Sequence, residues 1–134
     1  MTFSVEIPVP PSVNALFVNV SPAMRAMSKK NLPGRLKTKV YAGWREAAIK
    51  TIWATVRADR RIGGEIIVDI TLPARCRLDI DNAVKPLLDA LVGSQRIDDD
   101  KHVIGLRVWR GRAEPTVLIE VHAAADCVRQ ARAA

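Results

Sequence analysis

The sequence predicts an α+β domain of two layers, a mixed β-sheet packed against two main helices. Residues 3–9 and 65–72 alternate apolar and polar side chains with the period of a half-buried strand. Residues 38–58 and 81–91 change to helical spacing. Two more strands, 103–109 and 116–122, follow the second helix, and the order β-α-β-α-β-β implies mixed strand directions.

The first strand, Phe3 to Val9, is closed by Pro8, Pro10 and Pro11, because proline removes ladder donors and fixes the backbone. Residues 12–37 carry Asn14, Asn19, Pro22, Asn31, Pro33 and Gly34 and read as a long basic loop, of a length that is often functional. From Thr38 to Ala58, an apolar stripe is formed by Val40, Trp44, Ala47, Ala48, Thr51, Ile52, Thr55 and Val56. Asp59 to Gly64 is a polar turn. In the strand Glu65–Leu72, the side chains of Ile66, Val68, Ile70 and Leu72 share the core face. Pro73 ends it, and a short connection through Arg75 and Arg77 leads to the second helix.

In that helix Ala83, Val84, Leu87, Leu88 and Leu91 have core spacing, Pro86 is expected to loosen or kink the first turn, and Gly93 supplies a stop. The turn R-G-R-A-E-P joins the last two strands, and the alanine- and arginine-rich tail, 123–134, reads as a short frayed helix. No repeat or boundary interrupts residues 1–134, which therefore read as one domain.

Apolar residues make up 49% of the 134, a folding composition. No apolar run approaches the roughly 18 residues of a membrane span, so a soluble intracellular protein is expected. Cys76 and Cys127 lie far apart, outside any metal-ligand spacing. The net charge of +7 and pI near 10.0 favour a polyanionic partner, nucleic acid first. Arg25, Lys29, Lys30, Arg35, Lys37 and Lys39 fall within 21–39 with no acidic residue among them. With 4% aromatic residues there is little sign of a base-stacking platform, which favours recognition of backbone and shape.

Against this basic background the carboxylates gather in two places, Asp79 with Asp81 and the run Asp98, Asp99, Asp100. Two carboxylates at close range are costly unless a cation neutralises them. Magnesium suits them, since it takes hard oxygen ligands and completes its shell with water and substrate phosphate. If the start of the strand from Val103 neighbours the end of the strand 65–72, one member of the second group can reach the first. The set could then hold one or two Mg²⁺ for phosphodiester hydrolysis. Lys85 lies one helical turn after Asp81, where it could bind the scissile phosphate. The plainer alternative leaves Asp79 or Asp81 as a helix cap, the run D-D-D-K as a solvated turn, and Lys85 and Asp89 as a solvated helix face.

The block L-D-I-D-N-A-V-K-P-L-L-D-A-L, followed by R-I-D-D-D-K-H-V-I-G-L-R-V, resembles the RusA family of Holliday junction resolvases of bacteria, prophages and phages. The opening P-V-P-P-S-V-N is similar to that family's amino-terminal motif, and the resemblance spans nearly the whole chain. It implies a RusA-like fold and a homodimeric, Mg²⁺-dependent endonuclease, with Mn²⁺ a plausible substitute and no small-molecule cofactor. The implied partner is four-way DNA, cut by paired symmetrical nicks in recombination and repair, and the implied location is cytoplasmic.

By position the resemblance makes Asp79, Asp81 and Asp100 the catalytic and metal-binding aspartates, with Asp99 the neighbouring acidic residue, and Lys85 the essential lysine. Choosing Asp100 places Lys101 and His102 at variable positions and Val103 at the apolar one. Asn82 is expected to order the acidic pair by hydrogen bonding. Arg25, Lys29, Lys30, Arg35, Lys37, Lys39, Arg75 and Arg77 are the expected phosphate contacts. Two features depart from the family: Leu78 stands where a basic residue is common, and the insert M-R-A-M-S-K-K-N-L-P-G-R-L-K-T-K is long. The rival reading is a non-catalytic basic nucleic-acid-binding module. A third keeps the nuclease chemistry but directs it to flaps or forks.

Overall fold

Alternation in four stretches and helical spacing in two produce a four-stranded sheet with two helices laid on one face. The computed structural model describes residues 1–12, 17–19, 22–23 and 35–127, with 17–19 and 35–37 as backbone. The elements are β1 (Thr2–Ile7), β2 (Phe17–Asn19), β3 (Arg35–Lys37), α1 (Lys39–Thr55), β4 (Ile66–Pro73), α2 (Ile80–Gly93), β5 (Val103–Arg112) and β6 (Val117–Ala123). Short 3-10 turns occupy Ala58–Arg60 and Asp100–His102.

The sheet runs in the order β1-β6-β4-β5, with β4 and β5 parallel and the other pairs antiparallel. A parallel pair needs a crossover, and α2 is the body of it. The segment 12–37, read from sequence as a loop, contains β2 and β3, which pair antiparallel as a separate ribbon. The tail residues 128–134 lie outside the described residues.

The core is the inner face of the sheet against the two helices. Val5 and Ile7 of β1, Val68, Ile70 and Leu72 of β4 and Ile119 and Val121 of β6 close on Ala48 and Ile52 of α1 and Ala83, Leu87 and Leu91 of α2. At about 25 cal/mol per Å² of apolar surface, each fully buried Ile or Leu here stabilises the fold by about 1.5–3 kcal/mol. In β4, Ile66, Val68, Ile70 and Leu72 all face inward, as the alternation predicts.

The helices differ from the sequence expectation in three ways. The buried residues of α1 are Tyr41, Ala48, Ile49 and Ile52, whereas Val40 is 65% exposed. The buried stripe is rotated to include Tyr41, whose hydroxyl donates to Asp89 on α2 (3.2 Å). Pro86 does not interrupt α2 but is buried within it, where packing outweighs one missing backbone bond. Gly93 is the last residue of α2, and the left-handed residue beyond it is Gln95, with φ 61°. A Cβ on Gly93 would meet the Arg45 guanidinium and sit 2.9 Å from Ile49 Cδ1, so a larger residue there would displace the ends of these two α1 side chains.

The outer face of the sheet is tied by charge. Arg107 on β5 donates from Nε (2.5 Å) and Nη2 (2.8 Å) to Asp69 on β4, and His122 Nε2 of β6 donates to the same carboxylate at 3.1 Å. The Thr2 hydroxyl of β1 lies 3.3 Å from His122 Nδ1, so one polar chain crosses all four strands. The Arg107 hydrogen bond, more than any other cause, holds the Asp69 carboxyl below its ordinary 3.8, against the opposing effect of burial.

A depressed folded-state value means that Asp69 stabilises the fold above the unfolded carboxyl's range and loses that contribution as pH falls through its own value. Asp69→Asn should lower stability by about 1–2 kcal/mol at pH 7, the figure kept low by the exposure of Arg107. In thermal melts the gap from wild type should close as pH is taken below 3.8. A gap that stays constant into acid would show that the Asp69 carboxylate charge contributes nothing to the fold.

Candidate active site

The site grows from the connection 74–78, which carries the chain from the end of β4 to the start of α2. The Ala74 N–H donates to the Arg112 carbonyl (2.8 Å), and the Cys76 N–H donates to the Pro73 carbonyl (3.1 Å). The Arg110 guanidinium of β5 donates to the Leu78 carbonyl. The residue just before Asp79 is therefore held from the neighbouring strand.

Asp79 occupies the N-cap of α2, with φ −65° and ψ 146°. Its backbone carbonyl accepts from Asn82 N–H (3.1 Å) and Ala83 N–H (3.3 Å), but its side chain makes no capping hydrogen bond. Asp81 follows in the first turn and accepts from the adjacent Asn82 N–H, at 3.0 Å. Both side chains are exposed, where the positive end of the helix favours carboxylates. The bond from Asn82 to the pair is thus made by its backbone. Asp79 and Asn82 line a cleft of about 490 Å³ with Val9, Ser12, Cys76, Arg77 and Leu78.

The three consecutive aspartates have three different surroundings. Asp98 accepts from the Gly64 N–H (2.9 Å) and pairs with Arg61, and the Gly64 bond is the main cause holding its carboxyl below the ordinary range. Asp99 caps the 3-10 turn, accepting from the Lys101 N–H at 3.3 Å. Asp100 opens that turn, exposed, and the turn lies against α2.

Asp99 and Asp100 share a side-chain hydrogen bond, which is the largest cause of both shifts and moves them apart. Asp99 is lowered and Asp100 is raised. Two carboxylates in contact share a proton unless a cation takes its place.

Asp100 also interacts electrostatically with Lys85 and Asp89. Lys85 is exposed on α2, with Nζ 3.7 Å from Asp89 Oδ2. Asp81, Lys85 and Asp89 follow at intervals of four residues, a row spanning about 12 Å of helix axis. The parallel pairing puts Asp79 and Asp81 beyond the end of β4, whereas Asp100 precedes β5 and stands beside the later part of that row. Among the described residues no three His, Cys, Asp or Glu side chains group closely enough to hold a metal ion. The pair Asp79–Asp81 fits a hard divalent cation by donor chemistry, since magnesium commonly takes one or two protein carboxylates.

Of the expected phosphate contacts, Arg75 and Arg77 are exposed on the connection and Lys39 is exposed at the start of α1. Arg25, Lys29 and Lys30 lie outside the described residues, as do the side chains of Arg35 and Lys37. His102 lies in the 3-10 turn, and His122 belongs to the outer-face network. Trp109 is 64% exposed on β5, beside Thr71 in register.

A family model described as Endodeoxyribonuclease RusA matches residues 10–122. The chain belongs to the RusA endodeoxyribonuclease family. Membership makes it a nuclease of the Holliday junction resolvase type, with branched DNA as its partner. No curated protein matches the chain. Among the described residues no helix is long and apolar enough to cross a membrane.

Sequence reasoning missed Arg110, whose role depends on strand register, and it set Asp89 aside as solvated surface. The spacing of Asp89 from Lys85 was visible, but Tyr41 as its second partner was not. Arg110→Ala should release the connection: amide hydrogen exchange at residues 76–79 should quicken by about 10-fold, equivalent to roughly 1.4 kcal/mol, while β4 and β6 stay protected. Unchanged exchange at 76–79 would mean that the Arg110 bond does not hold the acidic pair in place.

Proposed function

We propose that this chain is a Mg²⁺-dependent Holliday junction resolvase acting as a homodimer, which makes paired symmetrical nicks during recombination and repair. One observation chiefly supports the reading. In a RusA family chain, α2 begins with two exposed carboxylates, Asp79 making no side-chain cap bond and Asp81 accepting from the adjacent Asn82 N–H, and Lys85 follows one turn along. The proposed ligands are Asp79 and Asp81 at the start of α2 and, as the family motif implies, Asp100 with Asp99 beside it, although within one chain these two lie along the later part of the α2 row and not at the pair. A bound Mg²⁺ supplies Lewis-acid polarisation of the phosphate and activation of water, and Mn²⁺ is expected to substitute.

The chain's own groups supply the rest. The Lys85 ammonium binds a non-bridging oxygen of the scissile phosphate and offsets charge that develops there. Arg77 in the cleft wall and Arg75 beside it hold adjacent phosphates. The basic insert, with Arg25, Lys29, Lys30, Arg35, Lys37 and Lys39, is assigned to the junction arms. A two-fold dimer suits a junction of near two-fold symmetry, because each subunit then addresses an equivalent strand. The bacterial cytoplasm is the proposed place of action.

The test is cleavage of a synthetic four-way junction in Mg²⁺ beside flap, fork and linear duplex DNA, with the Asp81→Asn protein as control. Symmetrical nicks confined to the junction are expected, with the rate reduced about 100-fold or more by the substitution while binding persists. Tight binding without nicks, indifferent to Mg²⁺, would leave a non-catalytic binding module. Preferred cutting of flaps or forks would keep the chemistry and change the substrate. Replacing Arg75 and Arg77 together by alanine should reduce the slope of log affinity against log salt by about two, whatever the DNA sequence.

A further inference from the structure

The charged row on α2 continues past Lys85 to Asp89, and Asp89 is not an ordinary solvated carboxylate. Its side chain is only 28% exposed, while that of Lys85 is 61% exposed. Its Oδ2 accepts a hydrogen bond from the Tyr41 hydroxyl at 3.2 Å and lies 3.7 Å from Lys85 Nζ. Tyr41 is fully buried in α1 and stacks on Trp44 with ring centroids 6.2 Å apart. Trp44 is held in turn by its indole N–H, which donates to the Pro8 carbonyl at 3.0 Å.

A free i,i+4 ion pair on a helix surface is worth little, because two long side chains must be ordered in water to make it. Here one partner is already fixed from below, so the lysine loses less freedom in joining it. A phenylalanine at position 41 would pack as well without a buried hydroxyl to satisfy, so the polar link across α1 and α2 adds direction where apolar packing alone would not. Burial, first, and then the Asp89 charge push the Tyr41 hydroxyl up to about 12, so it remains a donor at any working pH.

We infer that Asp89, pinned by the Tyr41 hydroxyl, is a positioning residue for the reaction: it holds the Lys85 ammonium in one place on the exposed face of α2. The role deepens the nuclease reading and rests on it. Without the anchor, Lys85 swings through the rotamers of an exposed four-carbon stem, and its ammonium meets the phosphate in only a fraction of encounters. Asp89 touches neither the substrate nor the reacting atoms and acts only through Lys85.

Single-turnover nicking of a four-way junction in saturating Mg²⁺ tests this, with wild type, Asp89→Asn, Tyr41→Phe, Lys85→Ala and the Asp89→Asn/Lys85→Ala double variant. Junction affinity without metal and the melting temperature are measured for each protein. Asp89→Asn should slow nicking by about 10- to 100-fold with junction affinity within about twofold of wild type. Tyr41→Phe, which removes one oxygen, should slow it in the same sense and by less. In the Lys85→Ala background, Asp89→Asn should cost nothing further, because the residue through which it acts is gone.

Three results would overturn the role: an Asp89→Asn rate equal to wild type, an effect that adds in full to that of Lys85→Ala, or a rate loss matched by falls in affinity and melting temperature. Wild-type nicking in the same assay separates that failure from failure of the nuclease reading. If the wild-type protein makes no nicks, both readings fall together.

Discussion

The parallel pairing of β4 with β5 is the constraint on which the rest of the molecule depends. Two parallel neighbours cannot be joined by a tight turn, so the chain must travel back along the sheet between them, and α2 is that return path. Its start is thereby placed beyond the end of β4, and its later turns are brought beside the entry to β5. Everything acidic in the candidate site is distributed by this geometry. Asp79 and Asp81 stand at one end of the path, and Asp100 joins the row further along it.

That path is secured on both sides. Below it, Ala83, Leu87 and Leu91 enter the core with Ile52 of α1, and Gly93 leaves room for the ends of the Arg45 and Ile49 side chains of α1. Above it, Arg110 of β5 grips the connection just before Asp79. On the far face of the sheet, Asp69 gathers Arg107 and His122, so β5, an edge strand, is fastened to β4 and β6 by side chains as well as by its ladder. Hydrophobic burial sets the layers. The charged ties then fix the exposed elements that carry the chemistry.

The acidic run before β5 shows how three identical residues acquire different physical properties. Asp98 is spent on a loop clip with Gly64 and Arg61, and Asp99 caps a turn. Asp100 is left exposed toward Lys85 with a raised proton affinity. Nothing in the letters D-D-D separates them. Local backbone direction at the 3-10 turn does, by turning successive side chains to different neighbours.

What the sequence by itself determined is the four strands of the main sheet, the two helices, the core face of β4 and the family. Period-two alternation identified the core face of β4 residue by residue, since a strand's side chains must alternate. The D-I-D-N-A-V-K spacing identified carboxylates and a lysine on one helix start, because helical geometry ties residues four apart. Tertiary structure decided what periodicity cannot carry. It rotated the buried face of α1 towards Tyr41 and put the left-handed residue after α2 at Gln95 instead of at Gly93. It also paired Asp69 with groups 38 and 53 residues away. Finally, it turned Asp89 from helix surface into the middle of a Tyr41–Asp89–Lys85 chain. Each of these depends on which elements become neighbours in space, and that is set by burial of the whole apolar surface rather than by any local pattern.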